Sequence, residues 1–178
     1  KISVYISGIR QDKSYLYYVF YILGLSITQM GLNGLAFQYL WPDSPWWNNH
    51  SVPFFIGFTS LWLALFTQSY LQTKKWNPRF HFIFHWCLRA SIILMVLTFL
   101  IPYSWSIRGV AVIVGFLAVC LLIVGSLGWR RGFRPARYFM VAWSIFLLGV
   151  LIFLLKSFGV LPPTFFTTYG LQVGSAIE

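Results

Sequence analysis

Five apolar runs, at about 14–40, 52–72, 80–101, 107–128 and 138–158, decide most of what this chain can fold into. Each is long enough to cross the hydrocarbon core of a bilayer as a helix, which takes about 17 to 25 residues at about 1.5 Å of rise apiece. The eight prolines (42, 45, 53, 78, 102, 135, 162 and 163) fall between the runs or at their ends, where helices start and stop. Composition agrees. The 178 residues are 58% hydrophobic, with mean hydropathy +0.73 and only 9% charged, against about 25% charged in soluble domains. The sequence therefore predicts an all-α, polytopic transmembrane helical bundle. A sixth apolar run begins near 163 and reaches the last residue, Glu178.

The net charge of +10 comes from thirteen Lys and Arg against three acids, Asp12, Asp43 and Glu178. A basic chain can signify a nucleic-acid partner, but here the charge sits in short turns between spans, so no nucleic-acid partner is expected. Lys1, Arg10 and Lys13 precede the first run, and Lys74, Lys75 and Arg79 lie between the second and third. Arg130, Arg131, Arg134 and Arg137 lie between the fourth and fifth. These alternate turns hold ten of the thirteen positive charges; the opposite ones, "WPDSPWWNNH", "PYSWS" and "FGVLPP", hold none. The excess of Lys and Arg on cytoplasmic loops places the basic turns inside. Trp41, Trp46, Trp47, Trp76, Trp105 and Trp129 cluster near span ends, as interfacial anchors do. Cys87 and Cys120 lie inside apolar runs and read as small packing residues. The opening "KISVYISGIR" is too short, and charged at both ends, to be a signal peptide. Asn49-His50-Ser51 is a glycosylation sequon in an outward loop, a three-residue pattern of little weight.

Several strings carry more than hydrophobicity. "SYLYY" at 14–18 follows a charged turn, "NGLAFQYLWP" at 33–42 closes the first run, and "RPARYFMVAWSIFLLGVLIFLLKSFGVLPP" covers 134–163. "LQVGSAIE" ends the chain. In this order they resemble the membrane domain of the bacterial seven-transmembrane receptors with diverse intracellular signalling modules. The resemblance covers nearly the whole chain. It implies that the five complete runs are spans two to six, with the last run a truncated span seven and "KISVYISGI" a stub of span one. It implies a single receptor-type membrane domain over 1–178, in a multi-pass protein of the bacterial inner membrane. An extracytoplasmic sensor before the helices and a cytoplasmic output after them, a diguanylate cyclase or a histidine kinase, are implied but absent here. An outside ligand and a homodimer follow from the same likeness. The alternative from another class is a small-molecule transporter or channel subunit. Transporters tend to show inverted repeats and helices broken near the midplane, and no repeat is visible.

"FHFIFHWCLRASIILM" places His81, His85 and Arg89 at intervals of four, which stack along a helix. An ionisable residue within a span is costly and marks a functional site by default. Counted from an inner edge near Phe80, His85 lies roughly 8 Å deep and Arg89 roughly 14 Å. Glu178, entering from outside near Pro163, ends roughly 8 Å from the same edge of a core about 30 Å thick. Two readings stand. Either Arg89 snorkels, the histidines satisfy local carbonyls and Glu178 is protonated, or His85, Arg89 and Glu178 form an intramembrane polar cluster. Metal or haem ligation fits poorly: two histidines on one helix cannot take opposite axial positions, and His50 lies at the other face. No cofactor, metal or catalytic residue is expected, and three acids with three histidines offer no enzyme constellation. Asn33 and Gln38, near the outer end of the first run, would line an outward cavity with Gln172. Packing through interhelical hydrogen bonds is the competing account.

Overall fold

Helix ends in this chain are set largely by its prolines and two glycines. The computed structural model describes the backbone of residues 2–76, 78–132 and 134–157, and the side chains of 13–74, 78–132 and 136–147. Among the described residues there are seven α-helices and no strand: α1 Ile2–Leu32, α2 Leu35–Tyr39, α3 Pro45–Tyr70, α4 Thr73–Trp76, α5 Pro78–Leu97, α6 Tyr103–Arg130 and α7 Arg134–Ser157. Pro45 and Pro78 each sit in the first turn of their helix, where a missing N–H costs nothing. Gly34 follows α1 with φ +76° and Gly132 follows α6 with φ +76°, the left-handed conformation that ends a helix and that glycine adopts without a side-chain clash. At the first of these the Asn33 and Gly34 N–H groups close back onto the Gln29 and Gly31 carbonyls, at 3.0 and 3.1 Å.

Four of these helices are long and apolar enough to cross a membrane, within Lys13–Leu32, Pro45–Tyr70, Pro78–Leu97 and Tyr103–Arg130. A shorter apolar helix covers Ala136–Leu147. They match the first four runs and the start of the fifth; the sixth lies outside the described residues. Three boundaries differ from expectation. The charged turn expected around 10–13, after a stub of an earlier span, does not form: α1 runs through it from Ile2, because nothing between Ile2 and Ser14 breaks a helix except Gly8. The same helix stops at Leu32 rather than 40, at Asn33-Gly34. The loop between α2 and α3 is shorter than expected, since α3 starts at Pro45, and this places Pro53 inside a helix. Proline has no N–H for the Asn49 carbonyl, but Asn49 is exposed in the opening turns of α3, where the group can reach water.

Two compact units divide the chain, Lys1–Leu121 and Leu122–Glu178. In the first, α1 and α3 run antiparallel in close register. Ser14 meets Ser69, their hydroxyls 2.5 Å apart, while Gly24 lies against Phe58 and Thr59, and Gly31 against Val52. On its other side α3 meets α5, with Gly57 beside Met95 and the Ser91 carbonyl. The Leu94 side chain of α5 then packs on Gly109 of α6. α3 is the most buried of the four spans, and beside Val52, Pro53 and Leu63 its buried face carries small or hydroxyl-bearing residues: Ser51, Gly57, Thr59, Ser60, Ala64 and Thr67. Without water to drive association, helices in lipid approach through such residues. Their hydroxyls are satisfied locally: Thr59 donates to the Phe55 carbonyl at 2.7 Å, Ser60 to Ile56 at 2.8 Å and Thr67 to Leu63 at 2.8 Å. In the second unit α7 packs on the end of α6 through Met140 against Gly125, with Ala136, Phe139 and Trp143 buried.

Candidate functional site

At the end of the first unit opposite Lys13 and Lys74, aromatic rings gather round Phe99, just beyond α5. Trp46, Trp47 and His50 stack on it at 6.1, 6.0 and 6.3 Å between ring centres, and Phe54 lies tilted against it at 5.7 Å. His50 Nδ1 lies 2.6 Å from the Trp46 carbonyl. Trp46 remains exposed, as an interfacial anchor is, whereas Trp41 and Trp47 are half-buried against Phe55 and Phe54. Asn33 and Gln38 are both exposed, one in the turn after α1 and the other on α2. Gln172, their expected companion, lies outside the described residues.

The stripe on α5 does not share a single face. A helix turns about 100° per residue, so each step of four drifts about 40°. The buried face of α5 carries Phe84, Cys87 and Ser91. His81 sits at the edge of that face and is half-buried, while His85 and Arg89 have wound off it and are exposed. His81 and His85 are in ring contact at 4.5 Å. The Arg89 guanidinium lies over the Trp86 ring, 5.5 Å from its centre, a contact worth about 0.5–1 kcal/mol at an exposed position. Glu178, the expected third member, lies outside the described residues. No group of three or more His, Cys, Asp or Glu gathers among the described residues, and Cys87 and Cys120 are buried free thiols.

The turn of the stripe carries His81 towards α3 and into a cleft that the sequence reading missed. The cleft has a volume of about 250 Å³ and is lined by Tyr17 of α1, Leu65, Gln68 and Ser69 of α3, Gln72 of the α3–α4 turn, Lys74 of α4, and His81. It lies at the end that bears Lys13, Lys74 and Arg79. Gln68 Nε2 and His81 Nδ1 are both buried there with no hydrogen-bond partner among the described residues, and Thr73, between two lining residues in sequence, buries an equally unpartnered Oγ1. A buried polar group left unpaired costs about 1–3 kcal/mol. Gln68 follows directly on Thr67, whose hydroxyl is satisfied within the helix, so the contrast is local. Gln72 adopts φ +48°, uncommon without glycine. The sequence signal was "TQSYLQTKK", polar residues in the last turns of an apolar run next to lysines. Which of them converge depends on the α1–α3–α5 register, which spacing alone does not give.

A family model described as 7TM diverse intracellular signalling matches residues 2–178. The chain belongs to that family. It is a multi-pass membrane protein and a signalling module of the sensor type. No curated protein and no solved structure matches it.

Proposed function

We propose that this chain relays a stimulus received outside the inner membrane of a bacterium to a cytoplasmic output domain, a diguanylate cyclase or a histidine kinase. The observation that carries the reading is the match of residues 2–178 to the 7TM diverse intracellular signalling family. The basic turns at Lys74 and Arg79, and at Arg130, Arg131 and Arg137, face the cytoplasm in this reading. A ligand or sensor domain outside favours one of two helix arrangements, and the difference in contacts between them reorients the output. The outputs operate as pairs, so the working form is a homodimer.

The test is output activity of the full-length protein in cells, after random substitution confined to residues 13–147. A relay yields both locked-on and locked-off variants that insert and accumulate normally, although every change is remote from the output. Variants that alter abundance alone would defeat the relay. Uptake of a solute into vesicles, dependent on the chain and unlinked to output, would favour the transporter alternative instead.

A further inference from the structure

We propose that the cleft between α1, α3 and α5 binds a phosphate-type oxyanion, presented either by an anionic lipid headgroup or by a small phosphorylated solute. This inference does not depend on the relay reading. Its polar lining is rich in donors: Gln68, His81 and Lys74 bring an amide nitrogen, a ring nitrogen and an ammonium, and Tyr17 is a further hydroxyl-bearing lining residue. No carboxylate is among the lining residues, and the one formal charge there is positive. Donors from α1, α3, α4 and α5 suit a tetrahedral oxyanion with several acceptor oxygens better than a flat carboxylate with two. Phosphate recognition by Lys as a point charge, completed by neutral donors, is chemically ordinary.

Two further observations point to an occupant. Buried polar groups in folded proteins are nearly always paired, and those that are not call for a partner that arrives from elsewhere. Gln68 Nε2 and His81 Nδ1 are two such groups in one cleft. Gln72, which also lines it, holds φ +48°, and backbone strain of this kind concentrates at ligand clamps. The volume of about 250 Å³ admits a phosphate and a few attached atoms, and falls below the range of roughly 300–1,000 Å³ usual for larger organic ligands. The basic end of the unit is where anionic headgroups of the cytoplasmic leaflet lie if Lys74 is inside.

The experiment uses the full chain in dodecyl maltoside, as wild type, K74Q and Q68L. Lys74 is exposed, so K74Q removes the charge without touching the core. Native mass spectrometry is run with dioleoylphosphatidylglycerol, and with phosphate-free monogalactosyldiacylglycerol as control. Melting temperature is read with and without glycerol 3-phosphate at constant ionic strength. A lipid source predicts phosphatidylglycerol retained by the wild type, with the bound fraction at least tenfold lower in both variants and the galactolipid weak in all three. A soluble source predicts that glycerol 3-phosphate raises the melting temperature of the wild type by several degrees and of neither variant. Q68L should in addition melt higher than wild type without ligand, because it deletes an unpaired buried amide. If neither phosphate-bearing probe separates the wild type from the variants, the cleft holds water alone and the proposal fails.

Discussion

Gly24 is where the α1–α3 contact can be weighed. A Cβ at this position would meet Thr59 Oγ1 at 2.7 Å and Phe58 Cδ1 at 2.8 Å, where ordinary contact begins at 3.4 Å. Neither neighbour gives easily. Thr59 is β-branched and its hydroxyl is tied to the Phe55 carbonyl at 2.7 Å, and Phe58 is wedged between Phe55 and Trp62 at 6.3 and 5.8 Å. The helices themselves must part in Gly24→Ala, at the roughly 1–3 kcal/mol typical of overpacking. Alanine returns up to about 1 kcal/mol of helix propensity, which blurs the single measurement. Gly115 supplies the control, since it too lies within an apolar helix and a Cβ there meets nothing within 4 Å. Gly115→Ala carries the propensity gain without the clash, so the gap between the two variants isolates the clash. For a chain of 178 residues each kcal/mol moves the midpoint by roughly 2–4 °C, so the gap should be about 2–12 °C. Tryptophan fluorescence during heating in detergent reads it. Gly24→Ala melting at or above Gly115→Ala would refute the close-packed register.

Three other outcomes are expected. Removing the ring at the centre of the aromatic cluster, Phe99→Ala, should cost roughly 1–3 kcal/mol, less than a fully buried Phe because Phe99 is partly exposed; an unchanged midpoint with unchanged tryptophan emission would count against the cluster. Single cysteines at 49 and 131 should label from outside and from the cytoplasm respectively, and the reverse pattern would invert the assigned topology. The carboxylate expected to answer Arg89 is Glu178: in a double-mutant cycle on output activity, R89Q with E178Q should be milder than either alone, and additive losses would end that pairing.

Hydropathy made the spans readable because lipid imposes a length and an apolar surface on anything that crosses it. Helix ends were harder. Asn33-Gly34 ends α1 through one left-handed glycine, a local signal that a window of twenty apolar residues averages away. Pro45 was visible as a turn residue, but it starts a helix as readily as it stops one, and only the structure shows the start. The resemblance implies a charged turn around Arg10 and Lys13, but charge does not break a helix, and α1 continues through it. The cleft was least readable of all. Tyr17, Gln68 and His81 are far apart in sequence, and they meet only because Gly24 and Gly31 bring α1 onto α3 in one register.

The stripe of His81, His85 and Arg89 shows how a correct spacing can still mislead. Intervals of four stack neighbouring residues, but the drift of about 40° per step accumulates to about 80° across the set. His81 therefore belongs to the packed side of α5, where it lines the cleft together with α3 residues, and Arg89 to the exposed side, over Trp86. The two ends of the stripe consequently have different physical requirements. His81 needs a hydrogen-bond partner within the first unit, because its Nδ1 is buried without one among the described residues. Arg89 needs a place for a full charge within a span, and the Trp86 ring supplies only part of that stabilisation. A change at one end should leave the other unaffected: K74Q should alter ligand retention without altering the R89Q phenotype. If K74Q and R89Q proved strongly coupled in output activity, the stripe would act as one network after all and the division by helix geometry would be wrong.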